Sequence, residues 1–394
     1  MIVQPKVKGF MCTTAHPAGC KAAVQNQIDY VKAQPRTEGP KKVLIVGASM
    51  GYGLASRIAA TYSCGADTIG VIFDKAGKEK RTASAGWYNT AAFEEIATAE
   101  GYYAKSVNGD ANAQEVKDQV IDMIKRDWGK ADMVIYSVAA PRRKAPDGVT
   151  YRSALKTVGQ EYTNQTIDLM TNEISQVTIP PATQEEIEAT VKVMGGEDWK
   201  LWMQALKEAD VLAENAKTVA YSYIGPEITH PIYYDGSIGQ AKQDLYRTAD
   251  DINANMAGIE AYVSVNKAVV TQSSAAIPIV PLYISLLFRV MKEKNLHEGC
   301  IEQMYRMFHD RLCKEEVVTD DSRLIRMDDY EMKPEVQQAV MKLWKEVSQD
   351  NIGEIGDVDG YWQEFYEIFG FHIDGVDYDA DVDIQGQIPS LVCE

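Results

Sequence analysis

A chain of 394 residues with 45% apolar and 25% charged side chains lies in the globular range, long enough for one large α/β domain or two ordinary ones. Its formal charge of −17 is the wrong sign for gripping a phosphate backbone, so no nucleic-acid partner is expected. The opening Met1–Lys8 lacks the apolar core of a secretion signal. The most apolar run, Ala275–Phe288, contains Pro278 and Pro281 and falls short of the roughly 20 residues that span a bilayer. A soluble, cytoplasmic protein with no membrane partner is expected. Six scattered cysteines (Cys12, Cys20, Cys64, Cys300, Cys313, Cys393) without a CxxC pair suit reduced thiols. Cys12, His16 and Cys20 share a helical spacing, but Pro17 and the missing fourth ligand argue against a metal.

In chain order, Lys42–Val46 is a β-branched run, followed by a glycine-rich turn and the alanine-rich Gly53–Tyr62: strand, loop, helix. Thr68–Phe73 reads as the next strand, Ala92–Glu100 as a helix and Tyr103–Val107 as a third strand. Ala113–Trp128 has helical periodicity, and Ala131–Ser137 is a fourth strand. This alternation predicts an α/β fold, a Rossmann-type parallel sheet with helices on both faces. Turns and hairpin segments then run from Pro141 to about Pro181, followed by helix over Gln184–Ala213 with a break at Gly195-Gly196. Strand patterns return at Thr218–Ile224 and Ala261–Val265. No flexible linker flanks 141–216, so that stretch is expected as an elaboration near the substrate site of one domain spanning 1–394. In the tail, Asp377, Asp379, Asp381 and Asp383 alternate, but Val382 stands where a calcium loop needs glycine; a solvated face is expected.

Gly47-Ala48-Ser49-Met50-Gly51-Tyr52-Gly53 follows the first strand and opens a helix. Glycines there permit a tight turn and let the backbone approach a pyrophosphate at the helix N-terminus. The GxxxGxG spacing is that of short-chain dehydrogenases, and its strand–turn–helix context marks a dinucleotide site. Asp74 lies 27 positions after Gly47 at the end of the second strand. A carboxylate there accepts from the adenosine ribose hydroxyls and repels a 2′-phosphate, which favours NADH; Lys75, Lys78, Lys80 and Arg81 would suit a phosphate instead. Asn108-Gly109-Asp110 follows the third strand, beside the adenine position, and Ser137-Val138-Ala139-Ala140 the fourth, beside the nicotinamide ribose.

Tyr233 and Lys242 stand nine positions apart, with a helix expected to begin near Ser237. An ammonium beside a phenol favours the phenolate and lowers its pKa from about 10. The same ammonium can hold the nicotinamide ribose. The spacing is wider than in short-chain dehydrogenases or the familiar enoyl-ACP reductases, and spacing alone carries no site.

Other segments add specificity: His16-Pro17 with Gly19-Cys20, Gly86-Trp87-Tyr88-Asn89, Met194-Gly195-Gly196-Glu197-Asp198-Trp199, Tyr221-Ser222-Tyr223-Ile224-Gly225 and His297-Glu298-Gly299-Cys300. With the glycine loop and the Tyr-x8-Lys element, the chain resembles the trans-2-enoyl-CoA and enoyl-ACP reductases of the FabV type over nearly its whole length. The resemblance implies NADH-dependent reduction of the C2=C3 bond of an enoyl-CoA or enoyl-ACP thioester, an acyl carrier protein as a possible partner, and a monomer. It implies that Tyr233 hydrogen-bonds the thioester carbonyl, that Lys242 binds cofactor ribose and phosphates, and that Tyr223 lines the substrate pocket. Cofactor contacts are implied for Gly47, Ser49, Gly51 and Gly53, for Tyr52, Phe73 and Asp74 at the adenosine half, and for Asp110 and Ala111 at the adenine. Val138, Ala139, Val270 and Thr271 complete the set. Ile277, Ile279, Val280, Leu282, Ile284, Leu286 and Leu287 suit either an acyl-pocket wall or core. A ketone or alcohol dehydrogenase, or a cofactor-binding module without chemistry, are the rival readings.

Overall fold

A computed structural model describes the chain except residues 9–10, 272–273, 275–276 and 392–394. Ala275 and Cys393, named above, lie outside the described residues. An antiparallel ribbon, β1 (Val7–Lys8) and β2 (Met11–Cys12), leads into α1 (Pro17–Lys32). His16 caps that helix, its Nδ1 accepting from Gly19 N at 3.1 Å, and burial holds the ring below its usual pKa as a neutral acceptor.

The sheet then builds as β3 (Lys42–Val46), α2 (Gly51–Cys64), β4 (Asp67–Ile72), α3 (Ala85–Ala99), β5 (Ala104–Asn108), α4 (Gln114–Asp127) and β6 (Ala131–Tyr136). Two hairpins follow, β7 (Arg142–Lys144) with β8 (Thr150–Arg152) and β9 (Tyr162–Asp168) with β10 (Glu173–Ile179), then α5 (Gln184–Met194) and α6 (Glu197–Glu208). The sheet resumes with β11 (Leu212–Ser222), α7 (Ser237–Asn255), β12 (Ile259–Val265), α8 (Val280–Glu293) and α9 (Cys300–Arg306), which runs into a π-helical turn, Met307–Leu312. β13 (Leu324–Arg326), α10 (Pro334–Glu346), α11 (Ile352–Ile355) and α12 (Val358–Glu367) complete the chain up to a short 3-10 turn at Pro389–Leu391.

Seven strands form one parallel sheet in the order β13-β12-β11-β6-β3-β4-β5. Helices cover both faces, so the inner strands read as unbroken apolar runs; Val43–Val46 are fully buried. One face packs α1, α2, α3 and α9, with Ile58, Phe93 and Phe308 at its centre; the other packs α4, α6 and α7, with Ile124, Trp202 and Ile252. A third cluster gathers α8, α10 and α12 around Phe288, Val340 and Phe365. The chain moves outward from β3 to β4 and β5, then crosses back to place β6 on the other side of β3. That reversal opens a crevice at the carboxyl ends of β3 and β6, where ligands of such sheets bind.

Two sequence expectations need correction. Helix α3 begins at Ala85, not Ala92, because its first turn carries Gly86, a poor helix former whose bare Cα lets the Asp74 carboxylate lie close: a Cβ there would sit 2.5 Å from Asp74 Oδ1. Leu212 and Ala213 belong to a strand rather than a helix. Asp210, at φ 55°, ends the helical segment, and Asn215, at φ 59°, accompanies a register shift between Leu212 and Lys217 that erases the alternating pattern. In the apolar run, Ile277, Ile279, Val280, Leu282, Ile284, Leu286 and Leu287 are all at most 5% exposed and pack in the α8 cluster, which suits either reading given above. As expected, Asp377, Asp379, Asp381 and Asp383 are exposed. No helix among the described residues is long and apolar enough to cross a membrane.

Candidate active site

The glycine loop is built by close approach. Gly47, at φ 88°, would place a Cβ 2.1 Å from Ser137 O, and a Cβ on Gly53 would lie 1.8 Å from Gly47 O. Both contacts are with backbone, so only glycine lets β3, β6 and the first turn of α2 meet this tightly. Gly51, at φ 52°, opens the helix and faces empty space, leaving a free N-terminus. Ser49 O accepts from Asn89 Nδ2 at 3.2 Å, which ties the loop to α3.

At the β4 end, Asp74 is fixed through its backbone: its N–H donates to Asn108 Oδ1 at 2.9 Å and its carbonyl accepts from Asn108 Nδ2 at 3.1 Å. Ser84 donates to Asp74 Oδ1 at 2.8 Å, Ser49 faces the same carboxylate, and Oδ2 is left buried without a hydrogen-bond partner. Burial pushes this carboxyl above its usual pKa. An orphaned buried acceptor at this position fits the ribose hydroxyls of a dinucleotide. Phe73 beside it is 77% exposed, an aromatic side chain largely open to solvent. Asp110 turns its Oδ1 to Asn112 N and Nδ2, and the Ala111 carbonyl accepts from Lys117 Nζ and Trp202 Nε1. Those two shape the loop after β5 while Val138 and Ala139 line the end of β6, Ala139 exposed and Val138 partly buried.

Tyr52 engages groups remote in sequence. Its hydroxyl donates to Lys267 O at 2.6 Å and lies 3.2 Å from Gln303 Oε1, and its ring packs 5.8 Å from that of Tyr221. Its hydroxyl and ring thus contact the end of β11, the loop after β12 and α9.

Helix α7 begins at Ser237 as the sequence suggests. Lys242 projects from its second turn and donates to Tyr221 O at 3.1 Å; among the described residues no carboxylate pairs with it, and burial lowers its pKa to about 8. Tyr233 stands edge-on to Tyr223, ring centroids 4.8 Å apart at 87°. Its hydroxyl has no hydrogen-bond partner among the described residues. The expected lowering of the phenol pKa is reversed: burial, with a smaller contribution from Tyr246, pushes Tyr233 above 10. Val270 is buried in the loop after β12, where Thr271 N donates to Ser274 Oγ at 2.9 Å.

Sequence reasoning missed Glu331. This carboxylate is fully buried and accepts from Tyr223 OH at 2.9 Å, Tyr283 OH at 2.6 Å and Ala268 N at 2.7 Å. Burial raises its pKa. Nothing in its local sequence signals it, since its partners come from the residue after β11, from α8 and from the loop after β12.

With this geometry in place, comparison with known proteins is decisive. The family profile described as the trans-2-enoyl-CoA reductase catalytic region matches residues 81–313, and the NAD(P)H binding domain of trans-2-enoyl-CoA reductase matches 2–79. The chain belongs to the trans-2-enoyl-CoA reductase family. A relative from Ruminiclostridium cellulolyticum, named trans-2-enoyl-CoA reductase [NADH], is 57% identical over 99% of this chain and 100% of its own. One from Coxiella burnetii, named enoyl-[acyl-carrier-protein] reductase [NADH], is 54% identical over 99% and 98%. The crystal structure of the Clostridium acetobutulicum trans-2-enoyl-CoA reductase in complex with NADH superposes with a TM-score of 0.95 at 45% identity, covering 98% of this chain and 100% of that one.

A third profile of this reductase family, described as an enoyl reductase FAD binding domain, matches residues 319–382. The residues there do not fit a flavin dinucleotide. β13 runs into Asp328, Asp329 and Glu331 rather than a glycine-rich turn, and those carboxylates would face a pyrophosphate. They are engaged instead by Arg326, by Arg306 and Arg311, and by the two tyrosines. α10 and α12 bury their apolar faces in the α8 cluster.

Proposed function

We propose that this protein reduces the C2=C3 bond of trans-2-enoyl thioesters with NADH, the thioester being carried on CoA or on acyl carrier protein, and that it works as a monomer built as one catalytic domain. The observation that carries the reading is a half-buried phenol, Tyr233, whose hydroxyl has no hydrogen-bond partner among the described residues, set beside Tyr223 and in the turn that leads into the helix carrying the cation Lys242.

NADH supplies a hydride, which adds at C3 of the substrate. Negative charge then develops on the thioester oxygen, and a positioned donor stabilises it most as it forms. Tyr233 is that donor: burial keeps the phenol protonated at neutral pH, so its O–H is available throughout. Tyr223, whose O–H is donated to Glu331, forms the neighbouring edge of the pocket, and a proton then reaches C2 by general acid action. Lys242 holds the nicotinamide ribose, with Val138, Ala139, Val270 and Thr271 around it. The glycine loop receives the pyrophosphate at the α2 N-terminus, while Asp74, Phe73, Asp110 and Ala111 take the adenosine.

Tyr233→Phe tests this. On folded protein at saturating NADH, oxidation of the cofactor is followed with crotonyl-CoA and with an enoyl-ACP. Loss of a donor acting mainly in the transition state lowers kcat and kcat/KM together, by on the order of a hundredfold to a thousandfold, while NADH binding persists. Tyr223→Phe falls less steeply. Near-normal turnover by Tyr233→Phe overturns the assignment.

A further inference from the structure

In a chain of net charge −17, the hairpin β7–β8 carries an uncompensated basic face. Its register sets Arg142 directly opposite Arg152 and Lys144 opposite Thr150, with Arg143 and Tyr151 on the other side. Two arginines in a cross-strand pair repel each other, a cost that a free hairpin has no reason to carry. Arg142, Lys144 and Arg152 are exposed, and among the described residues none of them forms an ion pair. The neighbouring carboxylates are engaged elsewhere: Asp147 with Val149 N and Tyr151 OH, Glu186 with Lys156, and Glu197 with Arg143 and Lys192.

The hairpin is also held rigidly and at a defined place. Arg143, 4% exposed, donates from Nη1 to Lys192 O at 2.8 Å and to Glu197 Oε2 at 2.7 Å, which pins the opposite face to α5 and α6. One root of the hairpin is the Ser137–Ala140 loop at the end of β6. The other, Ala154–Lys156, is bonded to the start of α7: Ser237 N donates to Lys156 O at 2.9 Å and Lys156 N to Ser237 Oγ at 3.1 Å. Ser237 lies between Tyr233 and Lys242. The basic pair thus stands at the base of a fixed hairpin strung between the two loops that flank the reacting centre.

Resting on the function proposed above, we propose that Arg142, Lys144 and Arg152 receive the phosphate-bearing end of the substrate's pantetheine arm. An acyl thioester on CoA or on a carrier protein has its reactive carbonyl at one end of pantetheine and phosphate at the other. A substrate anchored at Tyr233 needs an anion site where the arm leaves the crevice, and arginine forks suit phosphate oxygens.

The test compares the parent enzyme, Arg142→Ala/Arg152→Ala and, as a charge-matched control on α10, Lys342→Ala/Lys345→Ala. Each is assayed with crotonyl-CoA, with phosphate-free crotonyl-pantetheine and with an enoyl-ACP. The hairpin variant is expected to raise KM for crotonyl-CoA about tenfold at low salt, with the gap narrowing as salt is added. Its kcat, its KM for NADH and its kinetics with crotonyl-pantetheine stay at parent values, and the control matches the parent throughout. A parallel rise with enoyl-ACP assigns the face to the phosphate that both carriers share, and a rise with crotonyl-CoA alone assigns it to the nucleotide phosphates of CoA. An unchanged KM for crotonyl-CoA, an equal rise with crotonyl-pantetheine, or a rise confined to enoyl-ACP overturns the proposal. Absence of turnover by the parent on all three substrates instead removes the enzymatic reading beneath it.

Discussion

Lys242 makes a quantitative pH prediction. Its ammonium is half-buried against the Tyr221 carbonyl with no carboxylate paired to it among the described residues, and desolvation lowers its pKa in the free protein from 10.5 to about 8. Cofactor hydroxyls and phosphates beside it would favour the charged form and draw the pKa back up. NADH then binds tightest where Lys242 is already protonated, below pH about 8, and more weakly as pH rises through that value. Between the two pKa values each pH unit costs about tenfold in affinity, about 1.4 kcal/mol, so Kd at pH 9 is expected to be roughly ten times that at pH 7. Binding in this window takes up a proton. NADH fluorescence titrations across pH 6.5–9.5, with calorimetry at pH ~8.5 in buffers of different ionisation enthalpy, measure both quantities. Lys242→Met should bind weakly at every pH with no slope. Lys242→Arg, charged throughout, should also lack the slope and recover only part of the affinity. A flat Kd in the unmodified protein, or a slope that survives in Lys242→Met, would refute the reasoning.

Asp74→Ala removes the orphaned acceptor beside the glycine loop, so NADH use should weaken and the gap to NADPH narrow; parallel steady-state titrations of the two cofactors check this, and an unchanged preference contradicts it. Glu331→Gln keeps one acceptor oxygen for Tyr223 and Tyr283 but sets an amide NH₂ against the Ala268 N–H. The buried mismatch should cost about 1–3 kcal/mol, seen as a lower Tm, and turnover should fall as Tyr223 loses its orientation. Parent-like Tm and kcat would show that the network does nothing. Gly53→Ala places a methyl 1.8 Å from Gly47 O, where no side chain can yield, so NADH titration of the folded variant should show loss of binding.

Local pattern was enough for much of this molecule. Lys42–Val46 announces a strand, the glycines at 47, 51 and 53 announce the turn that follows, and the helix expected near Ser237 begins there. These are decided by neighbours a few residues apart, and periodicity and glycine chemistry report such neighbours directly. The family motifs also acquire physical reasons: Gly86 admits the Asp74 carboxylate, and Gly196 gives its N–H to Asp244 Oδ2 at 2.9 Å where a Cβ would strike Thr248. Other features depended on groups remote in sequence. The reversed pKa shift of Tyr233 comes from burial, Tyr52 turns to Lys267 and Gln303 more than 200 residues away, and Glu331 gathers donors from three elements. Burial and long-range hydrogen bonding are properties of the packed chain. Sequence therefore determined the strand–loop–helix scaffold and the candidate residues, and only the tertiary structure decided which of them face one another and in which protonation state they stand.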